Sequence, residues 1–206
     1  MKNKKLIIFD LDGVLVDACE WHRVALNEAL KEICDYEISL DDHYKTFNGI
    51  PTKVKLKILS EEKNVLSKKD HELVYNLKQK KTIDIIDKKA KKRIEKIQLL
   101  ESLKNDGFYI GCFTNSIRKT AMLMLEKTGI ADLFDIIVTN QDVENPKPSP
   151  EGYLKILNKF KIDKNNTYIV EDSPKGLESA YASGCNVIHV SNPDDVYYSS
   201  IKEFIQ

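Results

Sequence analysis

The sequence predicts an α/β fold, a mostly parallel sheet flanked by helices, with an all-helical insert near its start. Five short apolar runs carry the first half of that reading: LIIF at 6–9, FYIGCF at 108–113, FDIIVT at 134–139, TYIVE at 167–171 and NVIHV at 186–190. They show little polar alternation, which marks strands covered on both faces, and helical patterns separate the later four. The other half comes from the stretch between Asp17 and roughly Lys92, where only helical patterns occur.

Taken in order, LIIF is the first strand. Trp21, Ala25, Ala29 and Ile33 then share one helical face, Val54, Ile58 and Leu59 another, and a long helical segment runs from Ser67 to about Arg93. FNGIP at 47–51 is the sharpest turn signal in this region. The core resumes with a helix from Ile94 to Asn105. After the second strand, Ser116 is a candidate cap for a helix whose Ile117, Ala121, Met124 and Leu125 share a face, and Gly129 stops it. Pro174 opens a later helix with Leu177, Ala180 and Tyr181 on one side and Gly184 at its end. The expected domains are therefore a core of 1–16 and 93–206 and a helical cap of 17–92, placed as a lid over strand ends where parallel sheets bind ligands.

Composition narrows the function. With 42% hydrophobic residues the chain can fill a core, and its 32 Lys plus Arg balance 32 Asp plus Glu. A zero net charge gives no electrostatic signature of a nucleic-acid or anionic-membrane partner. Cys19, Cys34, Cys112 and Cys185 are widely spaced without a C-x-x-C pair, as expected of reduced thiols in a cytoplasmic protein. The opening MKNKKLIIFD turns acidic too soon for a signal peptide, and no apolar stretch approaches a membrane span.

Four polar clusters follow four of the strands. Asp10 and Asp12 lie two apart and point to the same side of an extended chain, and Gly13 permits a tight exit. They are either a pair dividing nucleophile and proton-transfer duties or the end of a strand. FTNS at 113–116 offers the Thr114 hydroxyl, the Asn115 amide and free helix-start amides to an anion such as phosphate. ENPKPSPEG at 144–152 holds Lys147 in a proline-stiffened loop. EDSPKG at 171–176 adds Glu171 and Asp172, which with Asp10 and the backbone carbonyl of Asp12 make an oxygen-rich shell suited to magnesium.

In this order and spacing DLDGVLVD, TN, KPSP and EDS resemble the four motifs of the haloacid dehalogenase superfamily, and the helical insert is similar to the beta-phosphoglucomutase-like sugar phosphatase and mutase branch. The resemblance covers essentially the whole chain and implies a Rossmann-like core with a cap. It implies that Asp10 attacks phosphorus, Asp12 transfers the proton, Thr114 and Asn115 hold the phosphoryl group and Lys147 neutralises its charge. Asp172 would bind Mg2+ directly, with Glu171 supporting it through water. The implied activity is a magnesium-dependent phosphatase acting on a small phosphorylated metabolite, with a hexose-phosphate mutase and a non-catalytic binding module as alternatives. A monomer or weak homo-oligomer would suffice. Two departures stand out: KKRIEKIQLL at 91–100 lacks the Pro-Gly that relatives commonly carry there, and Glu151 replaces an aspartate after the third-motif prolines.

Candidates in the cap are His22, near a catalytic cleft or partly buried beside Trp21; Asn48, Gly49 and Ile50 in FNGIP, as substrate contacts or a plain turn; and Lys81 in a basic run that is otherwise a solvated face. Arg118 reaches either a phosphate or a nearby acid. Trp21, Tyr44 and Phe47 read as interhelical packing before ligand stacking, and Cys112 as buried packing.

Overall fold

The computed structural model describes residues 4–205. In chain order the first elements are β1 (Lys5–Phe9), α1 (Cys19–Cys34), α2 (Leu40–Asp42), α3 (Thr52–Glu61), α4 (His71–Lys89) and α5 (Ile94–Asn105). There follow β2 (Phe108–Phe113), α6 (Arg118–Thr128), β3 (Ile136–Val138), α7 (Glu151–Phe160), β4 (Thr167–Glu171), α8 (Pro174–Ser183), β5 (Asn186–His189) and α9 (Tyr198–Lys202). No described helix is long and apolar enough to cross a membrane.

All five strands are parallel, in the order β3-β2-β1-β4-β5. Ile7 on the central strand stands opposite Ile110 on one side and Tyr168 on the other. The chain first builds outward from β1 to β3, then returns past β1 to add β4 and β5. That reversal leaves the C-terminal ends of β1, β2 and β4 side by side, the crevice where such sheets bind ligands. Leu6, Ile8, Phe113, Tyr153, Ile156 and Ile169 form a buried cluster on one side of the sheet. A Cβ on Gly152 would lie 2.3 Å from the Phe113 ring, so only glycine lets α7 approach β2 this closely.

Two compact units make up the chain, one running to Asp17 and resuming at Lys91, the other Ala18–Ala90. The second is all-helical, with Leu26, Leu30, Ile38, Phe47, Leu56, Leu59 and Val74 in its core. Buried Asn27 pins the chain after α1, donating to the Ile38 carbonyl at 2.9 Å and accepting from its N–H at 3.1 Å.

Several side chains fall where periodicity did not place them. Val54 and Tyr181 are exposed, whereas Lys55 is buried on α3 and Lys78 on α4. The long helix begins at His71 rather than Ser67, after a 3-10 turn at Lys68–Asp70, and ends at Lys89. Ser116 does not cap α6: Ile117 occupies that position without a side-chain bond. Phe47 is fully buried, while Tyr44 is 52% exposed.

His43, in a π-helical turn at His43–Phe47, is 2% exposed, and neither ring nitrogen has a hydrogen-bond partner. Burial pushes its pKa down to about 4, with Lys55, Arg23 and His22 acting the same way and Glu20 opposing. The unfolded chain, titrating near 6.5, binds the proton more readily, so stability falls as pH drops from about 6.5 towards 4. We expect denaturant unfolding near pH 7 and near pH 5 to show a smaller acid loss for His43→Phe than for the native chain. Equal losses would assign the acid sensitivity to other groups.

Candidate active site

The site grows from the end of β1. The Asp10 N–H donates to the Val170 carbonyl at 3.0 Å, extending the ladder one residue past the strand. The chain then folds back, with Gly13 at φ +93° donating to Val16 at 2.8 Å and Val16 to Leu11 at 2.9 Å. These bonds use groups of Leu11 and Gly13, so the carbonyl of Asp12 lies outside the bridge. The Asp12 carboxylate meets the end of β2, where Oδ2 accepts from the Thr114 hydroxyl at 3.1 Å and the Ser116 hydroxyl at 2.8 Å. Thr114 is buried, and its Oγ1 also accepts the Ser116 N–H at 3.0 Å.

Lys147 is the buried cation of the group. Its Nζ donates to Asp10 Oδ1 at 2.6 Å and to Glu171 Oε1, and lies 4.9 Å from the Phe113 ring centre. Pairing with Asp10 and Glu171 outweighs burial and holds the lysine pKa well above its usual range. The loop carrying it is fastened at both ends of its backbone. Glu151 accepts the N–H groups of Glu144 and Asn145 at 2.7 and 2.9 Å and so staples the loop start. Asn115 accepts the Lys147 N–H at 3.0 Å and donates to its carbonyl at 3.1 Å.

Glu171 is fully buried and saturated with donors. Oε1 takes Lys147 and the Tyr153 hydroxyl, the latter at 3.0 Å, while Oε2 takes the N–H groups of Asp172 at 2.9 Å and Ser173 at 3.2 Å. A Cβ on Gly176 would stand 2.0 Å from Oε1, so the first turn of α8 can surround this carboxylate only because it carries glycine there.

Asp10, Glu171 and Asp172 each offer an oxygen, all within 4.8 Å of one another. Burial raises the Asp10 pKa well above the usual carboxylate range, Lys147 opposes this, and Glu171, Asp172 and Asp12 add to it. Burial and the neighbouring Glu171 push Asp172 up to about 7. Its Oδ1 is buried without a partner. An orphaned hard oxygen among mutually repelling carboxylates fits a divalent cation such as magnesium. Because the Glu171 oxygens are engaged by donors, Asp10 and Asp172 are the side chains best placed to bind it directly.

The structure thus brings Asp10, Asp12, Thr114, Asn115, Lys147, Glu171 and Asp172 together. Arg118 takes the acidic alternative, donating to Asp142 at 2.6 Å. Lys81 faces Glu28 and Glu32 at 3.5 and 3.3 Å, and it is Lys78, one turn earlier, whose Nζ lies 3.1 Å from His22 Nδ1. Within the turn at FNGIP the Asn48 N–H donates to the His43 carbonyl at 2.7 Å, Gly49 has φ +76°, and Ile50 packs on the helical core. Cys112 is buried, and burial pushes its thiol pKa up, out of nucleophile range. Sequence reasoning missed Ser116 as a partner of Asp12, Tyr153 as a partner of Glu171, and Asn140, which donates to the Asn115 carbonyl at 2.8 Å. Ser116 lies within FTNS, among polar residues that already mark the site, whereas nothing local marks Tyr153 or Asn140.

A family profile for haloacid dehalogenase-like hydrolases matches residues 7–190. The chain belongs to this family. Among similar proteins of the family, the pyrophosphatase PpaX of Bacillus velezensis is 28% identical over 180 residues, spanning 84% of this chain and 76% of the relative. The phosphorylated carbohydrates phosphatase of Thermotoga maritima is 25% identical over 187 residues, 89% of this chain and 83% of that one. A crystal structure of beta-phosphoglucomutase from Clostridium difficile superposes with a TM-score of 0.83 at 22% identity, covering 98% of this chain and 96% of that chain, and shares the fold. As a haloacid dehalogenase-like hydrolase, the chain carries an Asp10 and acidic-cluster arrangement consistent with an aspartyl-phosphate mechanism.

Proposed function

We propose that this hydrolase is a magnesium-dependent phosphatase that cleaves a small sugar phosphate through an aspartyl-phosphate on Asp10. The observation that carries the reading is the buried Asp10 carboxylate, held 2.6 Å from the Lys147 ammonium and clustered with Asp172. In the first step an Asp10 oxygen forms a bond to phosphorus as the ester P–O bond breaks, and Asp12 gives its proton to the departing sugar oxygen. In the second, Asp12 takes a proton from water, the new hydroxide attacks phosphorus, and the bond to Asp10 breaks to release phosphate. Lys147 offsets charge on the transferring group, and Thr114 with the amides after β2 orients it. Magnesium bound by Asp10, Asp172 and the Asp12 carbonyl would lower the repulsion between two anions. The Ser116 hydroxyl fixes the Asp12 carboxyl in place for both proton transfers.

The Thermotoga relative, a phosphorylated carbohydrates phosphatase, supports a sugar phosphate, and the Bacillus relative, a pyrophosphatase, makes pyrophosphate the competitor to include. The test is phosphate release from a panel of sugar phosphates, other phosphorylated metabolites and pyrophosphate, with magnesium and with excess chelator. We expect turnover of a sugar phosphate that the chelator abolishes and magnesium restores. Preference for pyrophosphate would replace the substrate class, and interconversion of phosphosugar isomers without release would make the chain a mutase. Silence in every assay, with magnesium bound, would leave a binding module.

A further inference from the structure

We infer that Asn115 is a positioning residue, its carboxamide fixing Lys147 by both main-chain polar groups instead of binding the phosphoryl group directly. The inference rests on the phosphatase reading for its kinetic consequence and on geometry alone for the contact. Oδ1 accepts the Lys147 N–H at 3.0 Å and Nδ2 donates to the Lys147 carbonyl at 3.1 Å. A carboxamide satisfies both bonds in only one orientation, since reversing it would face oxygen with oxygen and nitrogen with nitrogen. The pairing therefore fixes the lysine backbone in direction as well as in distance.

No other described hydrogen bond reaches the Lys147 main chain, although the Ser179 hydroxyl donates to the Ser149 carbonyl two residues on, at 2.7 Å. Prolines at 146, 148 and 150 supply no N–H, and the Ser149 bond to the Pro146 carbonyl, at 3.0 Å, passes around Lys147 without touching it. Glu151 fastens only the N–H groups of Glu144 and Asn145. The main chain at Lys147 is thus tied to the end of β2 by one side chain. Asn115 is in turn held by Asn140, whose Nδ2 donates to its carbonyl at 2.8 Å. The end of β3 thereby supports the end of β2, which supports the lysine loop. The lysine side chain is long and flexible, so an anchored backbone restricts where its ammonium can lie, 2.6 Å from Asp10. Oδ1, an acceptor, has nothing to offer an ionised phosphate, and Nδ2, the donor a phosphate would need, is turned to the Lys147 carbonyl.

Two measurements test this. The first is amide hydrogen exchange at Lys147 by NMR, comparing the native chain with Asn115→Ala and Asn115→Asp. We expect exchange at least about tenfold faster in Asn115→Ala, and still slow in Asn115→Asp, which keeps the acceptor and serves as the folded reference. Unchanged exchange in Asn115→Ala would overturn the clamp, whatever the enzyme's substrate. The second is a double-mutant cycle on kcat with the substrate found in the panel. Asn115→Ala is expected to cost about tenfold or more in the native background and less than about twofold in a Lys147→Ala background. An equal loss in both backgrounds would show Asn115 acting on the phosphoryl group itself. If no substrate turns over, the phosphatase reading falls while the exchange experiment still decides the clamp.

Discussion

Asp10→Asn is expected to lose at least about a thousandfold in phosphate release while unfolding at the same denaturant concentration as the native chain or a higher one. The two effects share a cause. Asp10 is buried beside Glu171 and Asp172; burial and their repulsion disfavour its charged form, and Lys147 opposes them. An asparagine keeps an oxygen for the lysine to donate to and removes one negative charge from a crowded cluster. It also removes the proposed nucleophile. Steady-state turnover and denaturant unfolding on the same preparation separate these outcomes. Turnover within about tenfold of native would move the attacking group elsewhere, and a marked drop in stability would show the charge cluster to be cohesive without a bound cation.

Lys147→Met should fail in both respects. The ammonium has the Asp10 and Glu171 carboxylates as partners, and its side chain is 2% exposed. Deleting one side of a buried ion pair leaves uncompensated charge and typically costs about 3–5 kcal/mol. Methionine fills a similar volume, so the loss reports charge more than cavity. A divalent cation can replace part of the missing positive charge, so added magnesium should raise the variant's midpoint of thermal unfolding more than the native one. Thermal scans with and without magnesium check this. A variant as stable as the native chain, with the same response to metal, would mean the carboxylates are protonated in the fold and the lysine is dispensable to it.

Much of the core was legible because its strands are continuous apolar runs, and the helix from Ile94 to Asn105 and the glycine stops at 129 and 184 follow from short-range rules. The four strand-end motifs were equally visible, since each carries its own unusual polar residues. What escaped was set by distant partners. Ser116 reads locally as a helix cap, yet its hydroxyl serves Asp12, 104 residues earlier. Lys78 and Lys81 lie in one basic run, and residue type alone cannot tell which side of α4 turns inward. Asn115 offers an amide equally suited to an anion or to a peptide group, and only the fold supplies Lys147 as its partner.

The position of β1 in the sheet sets the order in which this chain can be assembled. The strand is made long before its neighbours: Lys5 pairs with Phe108, and Leu6 with Thr167. Until β4 has been synthesised, β1 is a buried strand in waiting, apolar on both faces and open along at least one edge. The segment from Ala18 to Ala90 needs nothing made later for its internal contacts, and its helices depend on nearby residues. Vectorial synthesis therefore favours a nascent chain in which the insert is already folded while the strand bearing Asp10 still awaits its partners, so Asp10 is made before Lys147, Glu171 and Asp172 and is set in place only once they exist.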